Sequence, residues 1–305
     1  MNRLKKILKT ILPSPLKTSY YIGFIDKCNL QLSRDERYKK VIWIENPKHS
    51  WFADPFIYKN TQNHLEVFVE EMDNSEKMEG GVISRLLIDK QSFRVVHKKI
   101  ILQLPTHLSF PIFFEENGET YVYPENYQSG SVQIYKYDKE EKELIEPKTI
   151  IKAPLLDTQI VKIDNSYYAF GVKFCTGNQS DTKTLYVYKS EFLTSQYTLI
   201  QTIENHKCEE RGAGIIFKDK LGRLIRPAQC CEGGYGKAVI FYELSLNRGI
   251  FSEKEVYRLE PNPKAKYGNV LHTYNEIEGM CVIDGLRVYH PHIGKLYKKI
   301  RKIPD

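Results

Sequence analysis

The chain has 305 residues, 41% hydrophobic and 12% aromatic, with 21 Tyr and 14 Phe; this composition excludes a disordered or fibrous protein and suits a strand-rich globular one. Large all-β propellers and barrels form single units, so length does not force a division into domains. The net charge of +7 collects at the ends: residues 1–17 carry five Lys/Arg and no acid, and residues 290–305 carry five Lys/Arg against Asp305. The body is left at roughly −2, which excludes a nucleic-acid-binding protein, whose basic residues form a stripe on a folded face.

The first predicted element is the amphipathic segment MNRLKKILKTIL. Leu4, Ile7, Leu8, Ile11 and Leu12 share one helical face, Arg3, Lys5, Lys6 and Lys9 the other, and Pro13 ends the pattern. Such a helix either lies on an anionic membrane surface or docks on the folded body. With Lys9 interrupting the apolar run and no small-residue cleavage site after it, the segment is a poor signal peptide and too short to span a bilayer. The expected location is cytoplasmic, with peripheral contact to the inner membrane surface through residues 1–12 and the basic tail 291–305. The six cysteines (Cys28, Cys175, Cys208, Cys230, Cys231 and Cys281) have no CxxC pair and no zinc-like His/Cys spacing. Reduced thiols and no metal are expected, and the sequence identifies no cofactor.

Five stretches then share one plan: a polar or Pro/Gly lead-in, an apolar strand, a charged or Asn/Gly turn, and an aromatic strand. They read WFADPFIYKNTQNHLEVFVEE, LSFPIFFEENGETYVYPEN, LLDTQIVKIDNSYYAFGVK, RGAGIIFKDKLGRLIRPAQ and LHTYNEIEGMCVIDGLR. Their leading residues, Asp54, Phe110, Asp157, Gly212 and His272, recur about every 50 residues, the period of a four-stranded propeller blade. Asn117-Gly118 and Asp164-Asn165 sit between apolar and aromatic runs as hairpin turns. Val132–Tyr137, Thr184–Tyr188 and Ala238–Tyr242 follow Gly- or Ser-containing loops and supply outer strands. A β-sandwich gives no reason for the same lead-in to occur five times. The predicted fold class is therefore all-β: a five-bladed β-propeller over residues 18–290, with short basic extensions at 1–17 and 291–305.

At WFADP, HLSFP, Asp157-Thr158, Arg226-Pro-Ala-Gln229 with Gly234-Tyr-Gly236, and Leu271-His-Thr-Tyr-Asn275, the chain resembles a specific group of propellers. These are the N-terminal domains of plant glucosamine inositolphosphorylceramide transferases and of bacterial proteins in surface-polysaccharide pathways. The group is in turn similar to five-bladed glycosidases of families 43 and 32, which carry three carboxylates on the first strands of blades one, three and four. The resemblance gives Asp54 the place of the base or nucleophile and Asp157 that of the aspartate that orients the sugar. Blade four departs from the pattern. A glutamate acid is implied there, with Glu210 as the candidate, yet the register from the following turn puts Arg211 in the acid position. An arginine cannot release a proton near neutrality and suits a phosphate or carboxylate.

The first residues of inner propeller strands converge on the axis, so Asp54 and Asp157 are expected to face a shared cavity, where they divide base and orienting roles or hold sugar hydroxyls without chemistry. Glu125 ends the second strand of blade two and points either into the cavity or to a surface ion pair. His107 and His272 are candidates to bind sugar hydroxyls or phosphate. Arg226, Gln229 and Tyr235, around a Gly-Gly-Tyr-Gly turn, suit a polar ligand, and Trp51 and Tyr235 suit the apolar faces of sugar rings. The resemblance implies a carbohydrate-active protein of cell-surface polysaccharide or glycolipid biosynthesis, a glycosyltransferase or its sugar-binding component, with a sugar donor or glycan as partner. A glycoside hydrolase using Asp54, Asp157 and Glu210, and a non-catalytic glycan-binding module, remain open.

Overall fold

The computed structural model describes residues 18–73, 80–174, 184–204, 211–232 and 234–288. Five four-stranded antiparallel sheets form a ring, a five-bladed β-propeller as the repeat predicts. The segments 1–17 and 289–305, with the membrane contact expected of them, lie outside the described residues, as do Cys175, Cys208 and Glu210. No helix among the described residues is long and apolar enough to cross a membrane.

Blades 1, 3 and 4 run from Ser50, Leu155 and Phe217 to Leu102, Ile203 and Leu259, and blade 2 from Phe113 to Ile151. The predicted hairpins hold: Asn117 and Gly118 take φ of 50° and 77°, the left-handed pair that a two-residue turn between twisted strands requires. Val132–Asp138, Leu185–Ser190 and Ala238–Asn247 form the third strands, and a further strand lies outside each, at Glu143–Ile151, Thr198–Ile203 and Ile250–Leu259. These outermost strands are largely exposed, so their sequences mix charged and apolar residues and lack the aromatic signature of the inner ones.

Blade 5 is assembled from distant parts of the chain. Tyr274–Ile277 and Met280–Val288 supply its inner strands, and Thr18–Asp26 and Ile42–Trp43 its outer ones. Thr18–Asp26 pairs with Met280–Val288 over nine consecutive residues, from Thr18 opposite Val288 to Asp26 opposite Met280. This pairing closes the ring.

Neighbouring blades pack face to face, so the second strand of blade 1 is apolar on both sides at its centre: Val67, Phe68 and Val69 are wholly buried. One core cluster joins blades 1, 2 and 3, where Tyr58 stacks on Phe68 at 4.9 Å and meets Tyr137 edge-on at 5.4 Å. Others fill the junctions of blades 3 with 4, 4 with 5, and 5 with 1. Each large apolar side chain buried there contributes about 1.5–3 kcal/mol, which holds the blade lead-ins in a fixed ring. Blades also touch through backbone: a side chain at Gly214 would lie 1.9 Å from the Tyr274 carbonyl, so only glycine lets blade 4 approach blade 5.

Candidate functional site

The lead-ins of the inner strands meet in one cavity of about 450 Å³. Eight of the residues selected from the sequence line it: Trp51, Asp54, His107, Glu125, Asp157, Arg211, Tyr235 and His272. Glu70, Tyr20, Tyr127 and Phe174 line it as well.

Asp54 and Asp157 occupy matching kinks. Both residues take a left-handed backbone, φ 46° and 43°, as does Phe110 at the matching place in blade 2, φ 47°. The ladder slips around the two aspartates, between Ala53 and Phe56 and between Leu156 and Gln159. Such a bulge re-aims a side chain, and holding a non-glycine residue there costs about 1–2 kcal/mol that the packed blades must offset.

Donors from two other blades converge on Asp54. The Phe110 N–H donates to Oδ2 at 3.1 Å and the Thr273 hydroxyl to Oδ1 at 2.6 Å, with His272 Nε2 3.3 Å from Oδ1. His272 Nδ1 lies 2.5 Å from Asp284 Oδ2, while Asp284 Oδ1 accepts the backbone N–H groups of His272 and Thr273. Burial disfavours charge on His272, but the Asp284 and Asp54 carboxylates outweigh it and raise its pKa. Asp54, His272 and Asp284 bring possible ligand atoms within 4.8 Å of one another. Because Nδ1 is already committed to Asp284, we read the trio as an ion-paired chain from blade 5 to blade 1.

Asp157 is held from the other side. Gln229 Nε2 donates to its Oδ2 at 2.8 Å, Arg211 Nε lies 3.6 Å from the same oxygen, and its own N–H donates to Glu125 Oε2 at 3.4 Å. Burial pushes the Asp157 carboxyl well up; Arg211 opposes the shift and Glu125 adds to it. Glu125 is raised as well, again chiefly by burial. Glu70, on the second strand of blade 1, is raised well above the ordinary range by burial and then by the charges of Asp54, Asp157 and Asp284. His107 Nε2 lies 3.4 Å from Glu70 Oε1 while its Nδ1 accepts the Gly81 N–H, and burial lowers its pKa. The site thus sets Asp54, which accepts from Phe110 and Thr273, beside three carboxyls whose pKa values are raised, an arrangement able to hold a polyhydroxylated ligand.

A raised carboxyl stabilises the fold below its unfolded pKa, near 4.5 for Glu70, and that contribution is lost as pH climbs through the folded value. Glu70→Gln is therefore expected to melt about 2 °C or more above wild type at pH 8 and level with it at pH 4. Calorimetry across that range checks it; parallel curves for the two proteins would refute the raised Glu70 pKa.

Among the described residues, two candidates lie outside the cavity lining. Arg226 and Gln229 sit within the strand Leu224–Cys230 and not in the loop after it. Arg226 is fully buried and forked onto Glu253, Nε to Oε1 at 2.5 Å and Nη2 to Oε2 at 3.1 Å, so it braces blade 4 and does not face a ligand. Gln229 is buried behind Asp157 and holds it in place. Glu125 faces the cavity and not the surface. Glu70 and Asp284 had a faint signal in the sequence: both are acids next to apolar strand residues, in VFVEE and CVID, where a half-exposed strand would not need them.

The family model described as glucosamine inositolphosphorylceramide transferase 1, N-terminal, matches residues 44–277. The chain is similar to glucosamine inositolphosphorylceramide transferase 1 of Oryza sativa subsp. japonica, 25% identical over 200 residues covering 64% of this chain and 26% of the relative. The Arabidopsis thaliana protein of that name is 27% identical over 229 residues, covering 71% and 29%. The chain thus spans less than a third of the length of these curated relatives. Among solved structures it is similar in fold to a family 43 β-1,3-galactosidase bound to galactodeoxynojirimycin, with TM-score 0.53 and 8% identity over 72% of this chain and 82% of that one. An exo-β-1,3-galactanase from Phanerochaete chrysosporium with galactose gives TM-score 0.54 and 10% identity, covering 70% and 53%.

Proposed function

Because the chain belongs to the glucosamine inositolphosphorylceramide transferase 1 N-terminal family, we propose that it recognises a sugar donor or glycan in glycosyl transfer for glycolipid or cell-surface polysaccharide synthesis. The observation that carries this reading is the meeting of Asp54 and Asp157, from separate blades, in one cavity beside Arg211. The carboxyl groups of Asp54, Glu70, Glu125 and Asp157 suit sugar hydroxyls, and Trp51, Tyr20 and Tyr235 offer aromatic faces to the ring. Arg211 lies beside Asp157; the resemblance implies a proton donor at its register in a hydrolase, and a guanidinium does not give up its proton. This favours recognition or transfer over hydrolysis.

One observation supports a hydrolytic reading: Glu70 and Glu125, whose pKa values burial raises, line the same cavity as Asp54, and glycoside cleavage uses a raised carboxyl beside a second carboxylate. The test is a panel of nucleotide sugars and short glycans, followed for binding by calorimetry, for transfer by mass spectrometry and for release of free sugar. Saturable binding or transfer without release supports the proposal. Free sugar lost on Glu70→Gln or Glu125→Gln favours the hydrolase, and silence in all three assays removes the sugar reading.

A further inference from the structure

Five aromatic residues line the cavity without belonging to any core cluster: Tyr20, Trp51, Tyr127, Phe174 and Tyr235. Large aromatic side chains kept out of a core and beside polar floor groups mark a ligand surface. They fall into separate groups. Tyr20 and Trp51, with ring centroids 5.2 Å apart, stand where blade 5 meets blade 1, and Tyr235 stands over Arg211 in blade 4. Tyr127 and Phe174 stand where blade 2 meets blade 3, with centroids 4.3 Å apart and planes inclined by 35°.

The Tyr127–Phe174 pair is built, not incidental. Tyr127 opens a 3-10 turn, Tyr127–Ser129, closed by the Gly130 N–H donating to the Tyr127 carbonyl at 2.9 Å. The next residue, Gln128, accepts the His107 N–H at 2.8 Å, tying the turn to another wall of the same cavity. Phe174 follows the second strand of blade 3 directly, and its N–H donates to the Pro154 carbonyl at 2.8 Å. Two residues before Tyr127 stands Glu125, the partner of Asp157. The pair is therefore fixed at the margin of the carboxyl floor, on a side of the ring away from Trp51 and Tyr20.

We infer that Tyr127 and Phe174 form a second sugar subsite, so that the ligand is a chain of at least two linked sugar rings, one held by the carboxyl floor and the next stacked on this aromatic pair. The inference rests on the sugar-recognition reading above. A cavity of about 450 Å³ falls in the range that encloses ligands larger than one ring. Rings held by stacking are selected by their flat apolar faces, which every pyranose presents, so this subsite counts rings and leaves their identity to the floor.

The test compares glucosamine and galactose with their β-linked di- and trisaccharides by calorimetry on the whole chain, using Tyr127→Leu and Phe174→Leu, which keep apolar bulk but lose the flat face. In the wild type the disaccharide of the preferred sugar is expected to bind about tenfold tighter than the single sugar, with little added by a third ring. In either variant that gain is expected to fall to about twofold or less. Melting curves identify any variant that has failed to fold, and Phe174→Tyr, which keeps a ring, then serves as the check by retaining the gain. Equal affinity for one and two rings, or a gain untouched by both leucine variants, overturns the subsite while leaving sugar recognition standing. No binding by any member of the series removes both.

Discussion

Replacing Asp54 with asparagine is expected to weaken sugar binding about a hundredfold or more while leaving the protein folded. The amide would retain one oxygen to accept from Phe110 N–H or Thr273 Oγ, but its NH₂ would face a donor on the other side. The lost charge-assisted bonds to sugar hydroxyls, about 1.5–3 kcal/mol each, amount to that factor when two are made. Alanine at the same position behaves differently. It strands three buried donors, from Phe110, Thr273 and His272, each costing about 1–3 kcal/mol, so Asp54→Ala is expected to lose stability before any question of binding arises. Calorimetric titration and thermal melts on both variants separate the effects. An Asp54→Asn protein binding its best sugar as tightly as wild type would remove Asp54 from the ligand.

Arg226→Met should be the most destabilising single change outside the cavity. The two side chains of the Arg226–Glu253 pair are 0% and 4% exposed, and the fork is extended by Arg226 Nη1 toward Gln159 Oε1 at 3.4 Å and by the guanidinium 5.5 Å from the Tyr242 ring. Removing one partner leaves Glu253 charged and buried, which costs about 3–5 kcal/mol, whereas changing both to apolar residues of similar volume restores most of it. Urea unfolding of Arg226→Met and of the double variant Arg226→Met, Glu253→Leu checks this; a single variant losing less than about 1 kcal/mol refutes it. Gln159, on the strand that carries Asp157, also donates to the Gly214 and Pro227 carbonyls, so the same side chain ties that strand to Arg226 and to blade 4.

The inner half of the blades was legible because a hairpin turn recurs between apolar and aromatic runs, two residues long in blades 2, 3 and 5, a local signal. The outer strands were less so: Thr198–Ile203, reading TLIQTI, is exposed on most positions and carries no alternation that separates it from a loop. Asp54 and Asp157 could be found because they lead repeats. Glu70 and Asp284 carried only a faint signal, because each lies inside its strand, where the register against a neighbouring strand is what shows that it turns inward. Arg226 was misplaced for a related reason. A polar residue beside a glycine-rich turn suggests a loop, yet its partner Glu253 is 27 residues away on an outermost strand, and no local pattern links them.

The closing of blade 5 has a consequence for how the molecule comes into being. Tyr20, a wall of the cavity, sits on the strand that pairs with Met280–Val288, and Asp284 and His272 come from the same late stretch. A nascent chain that has left the ribosome as far as blade 4 therefore has an open cylinder with no finished binding surface. The wall that blade 5 gives the cavity is complete only once Thr18–Asp26 has paired with Met280–Val288.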